Sequence, residues 1–243
     1  MLKQSNPSEY GLKTQRLLLS REVSMRFPTG LPELDEELGG GLPTGSITLI
    51  YGEEKSGKTS LALKLCALAA RKARAAYIDC SNRLHPLRLT QIIEGNRVDE
   101  SRLLILSVES FLHQEEIVLK LYDYPPPAPL IVFDDFTFRY RLEIKGDVKR
   151  DTPIYERLAF QLAALKEATV KKDIAIVVIG QVHTLPTTGE TRAVAHRILT
   201  YWSDYVLKIV RRVGERCGRI WIEKPEKKGV YRFRIVKSGV TSC

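Results

Sequence analysis

Eight consecutive residues decide the fold of this chain: Gly52-Glu53-Glu54-Lys55-Ser56-Gly57-Lys58-Thr59. They fit the pattern G-x-x-x-x-G-K-[ST], in which the backbone N–H groups of a glycine loop cradle phosphate. A β-rich apolar run, residues 47–51, precedes the loop, and a run of helix formers, residues 60–70, follows it. The sequence therefore predicts a strand, a phosphate-binding loop and a helix whose positive N-terminus lies at the loop.

The side chains of this loop have separate predicted roles. Lys58 is expected to reach the β- and γ-phosphates of ATP, and the Thr59 hydroxyl is expected to ligate Mg²⁺. The predicted nucleotide-binding positions of the loop are Gly52, Glu53, Glu54, Lys55, Ser56, Gly57, Lys58, Thr59 and Ser60. The alternative is a chance glycine loop before a buried helix, which eight matching positions with the correct flanks disfavour.

Length and composition are those of one α/β domain. A chain of 243 residues can bury a full core. No apolar run approaches the roughly 18 residues of a membrane span, and residues 1–11 lack the apolar centre of a signal peptide. Cys66, Cys80, Cys217 and Cys243 are scattered without a C-x-x-C pair, so we expect reduced thiols in a cytoplasmic protein with no membrane partner.

The positive charge is concentrated near the C-terminus. The whole chain carries a net charge of +9, and residues 211–243 hold ten Lys and Arg against three Asp and Glu, a net charge of +7. This excess favours a polyanionic partner. A solvated basic face is an equally good interpretation of the charge alone.

The segment before the phosphate loop carries a more specific pattern, with Thr29-Gly30, Leu34-Asp35-Glu36 and Leu38-Gly39-Gly40-Gly41. It resembles the RecA superfamily, which includes archaeal and eukaryotic recombinases and KaiC-like ATPases. The resemblance implies an α/β fold: a RecA-like P-loop ATPase core with a mostly parallel twisted sheet, helices on both faces and an antiparallel C-terminal extension. We expect this domain over residues 27–243 and an N-terminal extension over residues 1–26, with a possible short helix at 12–23.

The segment after the fourth predicted strand narrows the resemblance. Residues 134–143, Asp-Asp-Phe-Thr-Phe-Arg-Tyr-Arg-Leu-Glu, resemble the D-S-[LI]-T-x-x-YR-x-E of the RadB family, short archaeal paralogues of the RadA recombinase. The resemblance implies an ATP- and DNA-binding accessory protein that assists a full-length recombinase in homologous recombination and DNA repair, near the nucleoid. The alternatives are a KaiC-like signalling ATPase or autokinase, and a nucleotide-gated protein scaffold without a DNA role.

The residues expected at the reacting phosphate differ from the family patterns at positions 81 and 135. Asp134 ends an apolar strand and is expected to hold Mg²⁺ with Thr59. Where the superfamily has a catalytic Glu, this chain has Ser81, a poor general base, so ATP hydrolysis is expected to be weak or absent. Asp135 is either a substitute base or a cap of the following turn. Gln181 resembles the glutamine that senses the γ-phosphate.

Two further sets of residues follow from the resemblance. Arg88, in Pro86-x-Arg88-Leu89, is expected to pack on the adenine ring. The candidate DNA contacts lie in a predicted loop at 144–153, in a second loop at 184–192 and in the turn at 223–229: Lys145, Lys149, Arg150, Arg192, Lys224, Lys227 and Lys228. Single-stranded DNA with little sequence preference is the expected partner, and a flexible basic loop without a ligand is the alternative.

Hydrophobic patterns predict the remaining elements. Strands are expected at 47–51, 75–79, 103–106, 130–135, 174–180, 205–210, 219–223 and 230–236, and helices at 60–70, 114–121 and 155–171. In the last strand, Tyr231, Phe233 and Ile235 share one face and Arg232 and Arg234 the other.

Overall fold

The computed structural model describes residues 24–184 and 191–243. Its strands are β1 Arg26–Phe27, β2 Leu42–Pro43, β3 Ile47–Gly52, β4 Ala75–Asp79, β5 Leu103–Ser107, β6 Leu130–Asp134, β7 Ala175–Gly180, β8 Val182–Thr184, β9 Thr191–Ala193, β10 Tyr205–Val210, β11 Gly218–Lys224, β12 Val230–Val236 and β13 Gly239–Ser242. Its α-helices are α1 Pro32–Glu37, α2 Lys58–Ala70, α3 Pro86–Asn96, α4 Phe111–Asp123, α5 Thr137–Glu143, α6 Val148–Lys172 and α7 His196–Trp202.

A sheet of nine strands organises the described residues, in the order β13-β12-β11-β10-β3-β7-β6-β4-β5. The strands from β10 to β5 pair in parallel, and β11, β12 and β13 add antiparallel strands beside β10. This arrangement confirms the predicted α/β fold, with a mostly parallel sheet and an antiparallel C-terminal extension. All carboxyl ends of the parallel strands meet at one edge, where ligands bind in such sheets.

Apolar side chains cover both faces of the sheet. On one face, α2 buries Leu61 and Leu65 against the sheet. On the other face, α4 and α6 bury residues such as Phe111, Leu158 and Leu162. Strands buried on both faces are continuous apolar runs, which is why β3, β6 and β7 were recognisable from sequence. In the described part of the chain, no helix is long and apolar enough to span a membrane.

The eight predicted strands all form, with bounds within one residue of those expected. The interpretation of residues 144–153 as a loop was correct for residues 144–147 and wrong from Val148, where α6 begins. The Asp147 carboxylate accepts hydrogen bonds from the backbone N–H groups of Lys149 (2.9 Å) and Arg150 (3.2 Å) and so caps this helix. Most of the predicted second loop, and the helix predicted at 12–23, lie outside the described residues.

The expectation of four reduced thiols was also wrong. Cys217 and Cys243 form a disulfide, with their Cα atoms 6.0 Å apart, while Cys66 and Cys80 are free and buried. Cys217 directly precedes β11 and Cys243 directly follows β13. These two strands lie on either side of β12. Antiparallel pairing sets Gly218 and Ser242 opposite the same residue, Phe233, so the neighbouring cysteines come together although 26 positions separate them.

Candidate nucleotide site

The phosphate loop connects β3 to α2, as its sequence predicts. Lys58 is the first residue of α2, and its buried ammonium group donates hydrogen bonds to the backbone oxygens of Gly52 (2.7 Å) and Glu53 (2.5 Å). Burial lowers the pKa of Lys58, and the nearby carboxylates of Asp135 and Asp134 oppose that shift. The loop thus holds a cation where phosphate oxygens can replace its own carbonyl groups as partners.

Two glycines of the loop are required by close packing. A Cβ atom on Gly52 would lie 2.1 Å from the backbone oxygen of Ile209 in β10. Gly57 has a φ of 110°, and a Cβ atom there would lie 3.1 Å from the ring of Phe233 and 3.2 Å from Ile235 in β12. The antiparallel extension therefore supports the back of the phosphate loop.

The two predicted magnesium ligands lie together. Asp134 ends β6, and its carboxylate accepts hydrogen bonds from the side chain of Thr59 and, at Oδ2, from the Tyr77 hydroxyl (2.7 Å). Burial raises the pKa of Asp134 to about 6, while these hydrogen bonds and the charge of Lys58 oppose the shift. A hydroxyl and a carboxylate are hard oxygen ligands, and a buried carboxylate needs a neighbouring cation, so the pair fits Mg²⁺.

A cleft of about 320 Å³ brings the predicted residues together at the carboxyl ends of the strands. Its lining residues are Glu54, Lys55, Gly57, Lys58, Thr59, Ser60, Ser81, Arg83, Asp134, Asp135, Phe138, Gln181 and Ile235. The loop, both predicted magnesium ligands and the candidate catalytic residues thus border one space. Among the described residues no group of three or more His, Cys, Asp or Glu side chains could hold a metal.

Asp135 is held by three donors. Its Oδ1 atom accepts hydrogen bonds from the backbone N–H (3.0 Å) and hydroxyl (2.7 Å) of Thr137, and its Oδ2 atom lies 3.3 Å from Nη2 of Arg141. Burial raises the pKa of Asp135, and the Thr137 and Arg141 contacts oppose this. These contacts are those of a residue that caps the turn into α5, the alternative to a catalytic base.

Ser81 and Gln181 border the cleft from two neighbouring loops. The Ser81 hydroxyl donates a hydrogen bond to Oδ1 of Asp79 (3.1 Å). The same carboxylate accepts a hydrogen bond from the backbone N–H of Leu84 and so stabilises the turn after β4. The backbone N–H of Gln181 lies 3.4 Å from the Thr137 hydroxyl, which connects the end of β7 to the Asp135 turn. The site therefore has a candidate phosphate sensor in Gln181 but a serine in place of the usual base.

Arg88 has a structural role that sequence reasoning did not include. Its guanidinium donates hydrogen bonds to the backbone oxygens of Val236 (2.9 Å), Lys237 (2.9 Å) and Gly239 (3.2 Å), and to the Ser60 hydroxyl (3.0 Å). Burial lowers its pKa. Arg88 thus joins α3 to the turn between β12 and β13, and its contact with adenine stays a prediction.

Arg83 is a cleft residue that sequence reasoning missed. Its guanidinium carbon lies 4.9 Å from the centre of the Phe138 ring, and Nη1 lies 3.8 Å from Oε1 of Glu54 in the phosphate loop. The available signal was a cation two positions after Ser81, close to the expected γ-phosphate. Only the tertiary structure shows that it bridges the loop and α5.

The candidate DNA residues occupy several surfaces. Lys149 and Arg150 lie in the first turn of α6, and Lys145 precedes it, with its N–H bonded to Asp151 (3.0 Å). Arg192 lies in β9, opposite His183. At the 223–229 turn, Lys224 Nζ donates to the backbone oxygens of Ser203 (2.5 Å) and Thr200 (3.2 Å), Lys227 pairs with Glu37 (2.9 Å), and Lys228 is exposed.

Comparison with known proteins identifies the family of this chain. A profile of the Rad51 family matches residues 20–220. The DNA repair and recombination protein RadB of Halobacterium salinarum is 31% identical over 232 residues, covering 92% of this chain and 98% of that protein. The RadB proteins of Pyrococcus abyssi (31% over 224 residues, 89% of this chain and 93% of that protein) and Archaeoglobus fulgidus (32% over 219 residues, 89% and 98%) are similar.

The chain belongs to the RadB family. A solved structure, that of the RadB recombinase, matches the fold with a TM-score of 0.73 and 28% identity, covering 89% of this chain and 99% of that one. RadB relatives are DNA repair and recombination proteins by name. The resemblance seen in the Asp134–Glu143 segment is therefore confirmed over most of the chain.

Proposed function

We propose that this RadB-family protein binds ATP with Mg²⁺ in the cleft, binds single-stranded DNA with little sequence preference, and assists a full-length recombinase in homologous recombination and DNA repair. Residues 27–243 would form the ATPase domain, after an extension of residues 1–26. A cytoplasmic location at the nucleoid follows from a DNA partner. The observation that carries the proposal is the convergence of Lys58, Thr59 and Asp134 in one cleft.

Each residue of the cleft is expected to make a different contact with ATP. Lys58 supplies a fixed positive charge for the β- and γ-phosphates, and the loop N–H groups add donors around them. Thr59 and Asp134 would hold Mg²⁺, which would neutralise charge on the phosphate oxygens when bound. Gln181, at the end of β7, is positioned to sense whether a γ-phosphate is present.

Slow hydrolysis is part of the proposal. Ser81 cannot act as a strong base at neutral pH, and the Asp135 carboxylate is already engaged by Thr137 and Arg141. A general base typically contributes about 10² to 10⁴ in rate, so turnover should be lower than that of a full recombinase by a factor of this order. ATP would then act mainly as a ligand that stabilises one state of the protein.

Titration of a fluorescent ATP analogue, with and without Mg²⁺, tests the nucleotide site. Lys58→Ala should weaken binding strongly, because it removes the buried ammonium group that faces the phosphates. Lys72→Ala is the matched control, since Lys72 is an exposed lysine just beyond the other end of α2. Equal dissociation constants for both variants would refute the nucleotide assignment.

DNA binding needs a separate measurement. Fluorescence anisotropy of a labelled oligothymidylate measures the association constant. The logarithm of that constant should fall linearly with the logarithm of the salt concentration. Oligonucleotides of different sequence should bind with similar affinity, because charge and stacking carry the interaction. No binding at low salt, with or without ATP, would remove DNA from the proposed function and leave the nucleotide site standing.

A further inference from the structure

The outer face of β10, β11 and β12 carries an unusual set of side chains. Inward residues such as Ile220, Ile222 and Phe233 pack into the core beside α2. Because side chains alternate along a strand, the residues between them point the other way. This arginine–tryptophan face consists of Lys208, Val210, Arg219, Trp221, Glu223, Val230, Arg232 and Arg234, of which Arg219, Glu223, Val230, Arg232 and Arg234 are exposed.

The arginines of this face stand close to one another. Arg219 of β11 is directly opposite Arg232 of β12, and Arg234 lies two residues farther along the same side, about 6.6 Å away by strand geometry. Like charges directly opposite each other destabilise a sheet. The arrangement therefore needs compensation, and anions bridging the arginines would provide it.

Acidic side chains of the described residues compensate these charges only in part. Oε1 of Glu215 lies 3.8 Å from Nη2 of Arg219. Within residues 24–184 and 191–243, the ion pairs and side-chain hydrogen bonds of the structure leave Arg232 and Arg234 without a protein partner. Two neighbouring guanidinium groups are thus available for phosphate, which arginine binds through paired N–H donors.

Trp221 provides a second kind of contact beside the arginines. It lies opposite Lys208 and Val230 and borders a hollow of about 430 Å³, lined by Lys208, Val210, Trp221, Ile222, Glu223, Glu226 and Lys227. The Glu223 carboxylate is engaged by the Tyr51 hydroxyl (2.6 Å) and lies 3.9 Å from the Lys208 ammonium. A hollow with an indole wall and carboxylates on its rim suits an uncharged ring rather than a phosphate group.

We propose that the arginine–tryptophan face binds single-stranded nucleic acid, with a base stacked on Trp221 and the backbone phosphates on Arg219, Arg232 and Arg234. This inference rests on the DNA binding proposed above and gives it a location different from the lysines of the 223–229 turn. Lys224 and Lys227 already bind Ser203 and Glu37, which leaves them less free for DNA. A duplex hides its base faces, so the aromatic contact selects a single strand.

The first test removes the two arginines that lack a protein partner. In Arg232→Ala/Arg234→Ala, the dissociation constant for labelled oligothymidylate should rise about tenfold. The slope of log affinity against log salt should fall by about 1.4, because each lost phosphate contact on a single strand contributes about 0.7. Arg71→Ala/Arg74→Ala is the control, with the same charge change at two exposed arginines after α2.

The outcomes of this titration separate the two proposals. If the wild-type protein binds no oligonucleotide, the proposed DNA function fails. If it binds and both double variants behave alike, DNA binding stands and the arginine–tryptophan face is refuted. Thermal melting of each variant checks that the fold is retained, and an unchanged affinity for the fluorescent ATP analogue shows that the effect is confined to DNA.

The second test measures the fluorescence of Trp221. The chain has two tryptophans, so Trp202→Phe leaves Trp221 as the single indole emitter. Oligothymidylate should quench its fluorescence with the same midpoint as the anisotropy titration, because stacking places the base on the indole. Unchanged emission at saturating DNA would overturn the stacking assignment. In a separate titration, tighter binding of polyglutamate than of oligothymidylate would show that the face binds acidic peptides instead.

Discussion

The Tyr77 hydroxyl donates a 2.7 Å hydrogen bond to Oδ2 of Asp134, across two neighbouring strands at the floor of the cleft. This bond fixes the orientation of a carboxylate that is 6% exposed. Burial also raises the pKa of Tyr77 well above its ordinary value, with the charge of Asp134 as the second cause, so the phenol stays a donor at neutral pH. The site is therefore preorganised to present Asp134 toward Thr59 and the phosphate loop.

Asp134→Asn should stabilise the ligand-free protein while weakening Mg²⁺-dependent nucleotide binding. The pKa of Asp134 is raised to about 6 from an ordinary value of 3.8. The proton on this carboxyl group therefore stabilises the folded state fully below pH 3.8, and this stabilisation is lost as the pH rises through 6. The asparagine avoids the buried charge, so the free energy of unfolding at pH 8 should rise by about 3 kcal/mol. Denaturant melts at pH 8 and pH 5 measure the difference, which should shrink at the lower pH. Glu116→Gln, at an exposed position, is the control, and a lower stability of Asp134→Asn at pH 8 would contradict the prediction.

Ser81→Glu should raise ATP turnover at least tenfold, because it supplies a carboxylate at the cleft where the chain has a hydroxyl. Steady-state phosphate release measures the rate. Asp135→Ser should lower the melting temperature and leave any residual rate unchanged, since Asp135 caps the turn through Thr137. A residual rate that falls in Asp135→Ser without loss of stability would instead identify Asp135 as the base.

Gly57→Ala should abolish nucleotide binding, because φ is 110° there and the new Cβ atom would crowd Phe233 and Ile235 behind the phosphate loop. Gly214→Ala is a matched control: φ is 89°, with nothing within 4 Å of the added Cβ atom. Both variants should lose about 1–2 kcal/mol of stability from left-handed strain. Only Gly57→Ala should lose affinity for the fluorescent ATP analogue, and retained affinity would show that β12 does not constrain the loop.

Arg83→Ala should reduce the preference for ATP over ADP. The guanidinium borders the cleft beside Ser81 and is held by the Phe138 ring and by Glu54, so it can reach a γ-phosphate that ADP lacks. Competition titrations with both nucleotides give the ratio of affinities. Arg102→Ala, another arginine with one long ion pair, should leave that ratio unchanged, and the same ratio in both variants would exclude Arg83 from the site.

Lys224→Ala should destabilise the protein by about 1–2 kcal/mol, because its ammonium group binds the backbone oxygens of Ser203 and Thr200 at the C-terminal end of α7. Lys228→Ala, at an exposed lysine of the same turn, should be neutral. Thermal melts of the two variants make the comparison. Equal melting temperatures would mean that Lys224 is free for another partner such as DNA.

Local patterns were enough to predict the phosphate loop and eight of the thirteen described strands, because these depend on neighbours in sequence. The prediction missed the short strands β1, β2, β8, β9 and β13. The start of α6 was missed because the resemblance to recombinases implied a DNA-binding loop over residues 144–153, whereas the Asp147 cap begins a helix at Val148. The Cys217–Cys243 pair and the contacts of Arg88 depend on how β11, β12 and β13 return beside the loop. Arg83 was missed for a similar reason, since its partners Glu54 and Phe138 are distant in sequence.

Strand β12 touches both candidate sites at once. Phe233 and Ile235 lie against Gly57 of the phosphate loop, while Arg232 and Arg234 point from the opposite face. Adjacent residues of a strand are only about 3.3 Å apart. We therefore expect a shift of the phosphate loop on one side to displace the guanidinium groups on the other. If the protein binds both ligands as proposed, thermodynamic linkage requires that ATP change the affinity for DNA by the same factor as DNA changes the affinity for ATP. A titration with either ligand held at saturation measures this single coupling constant.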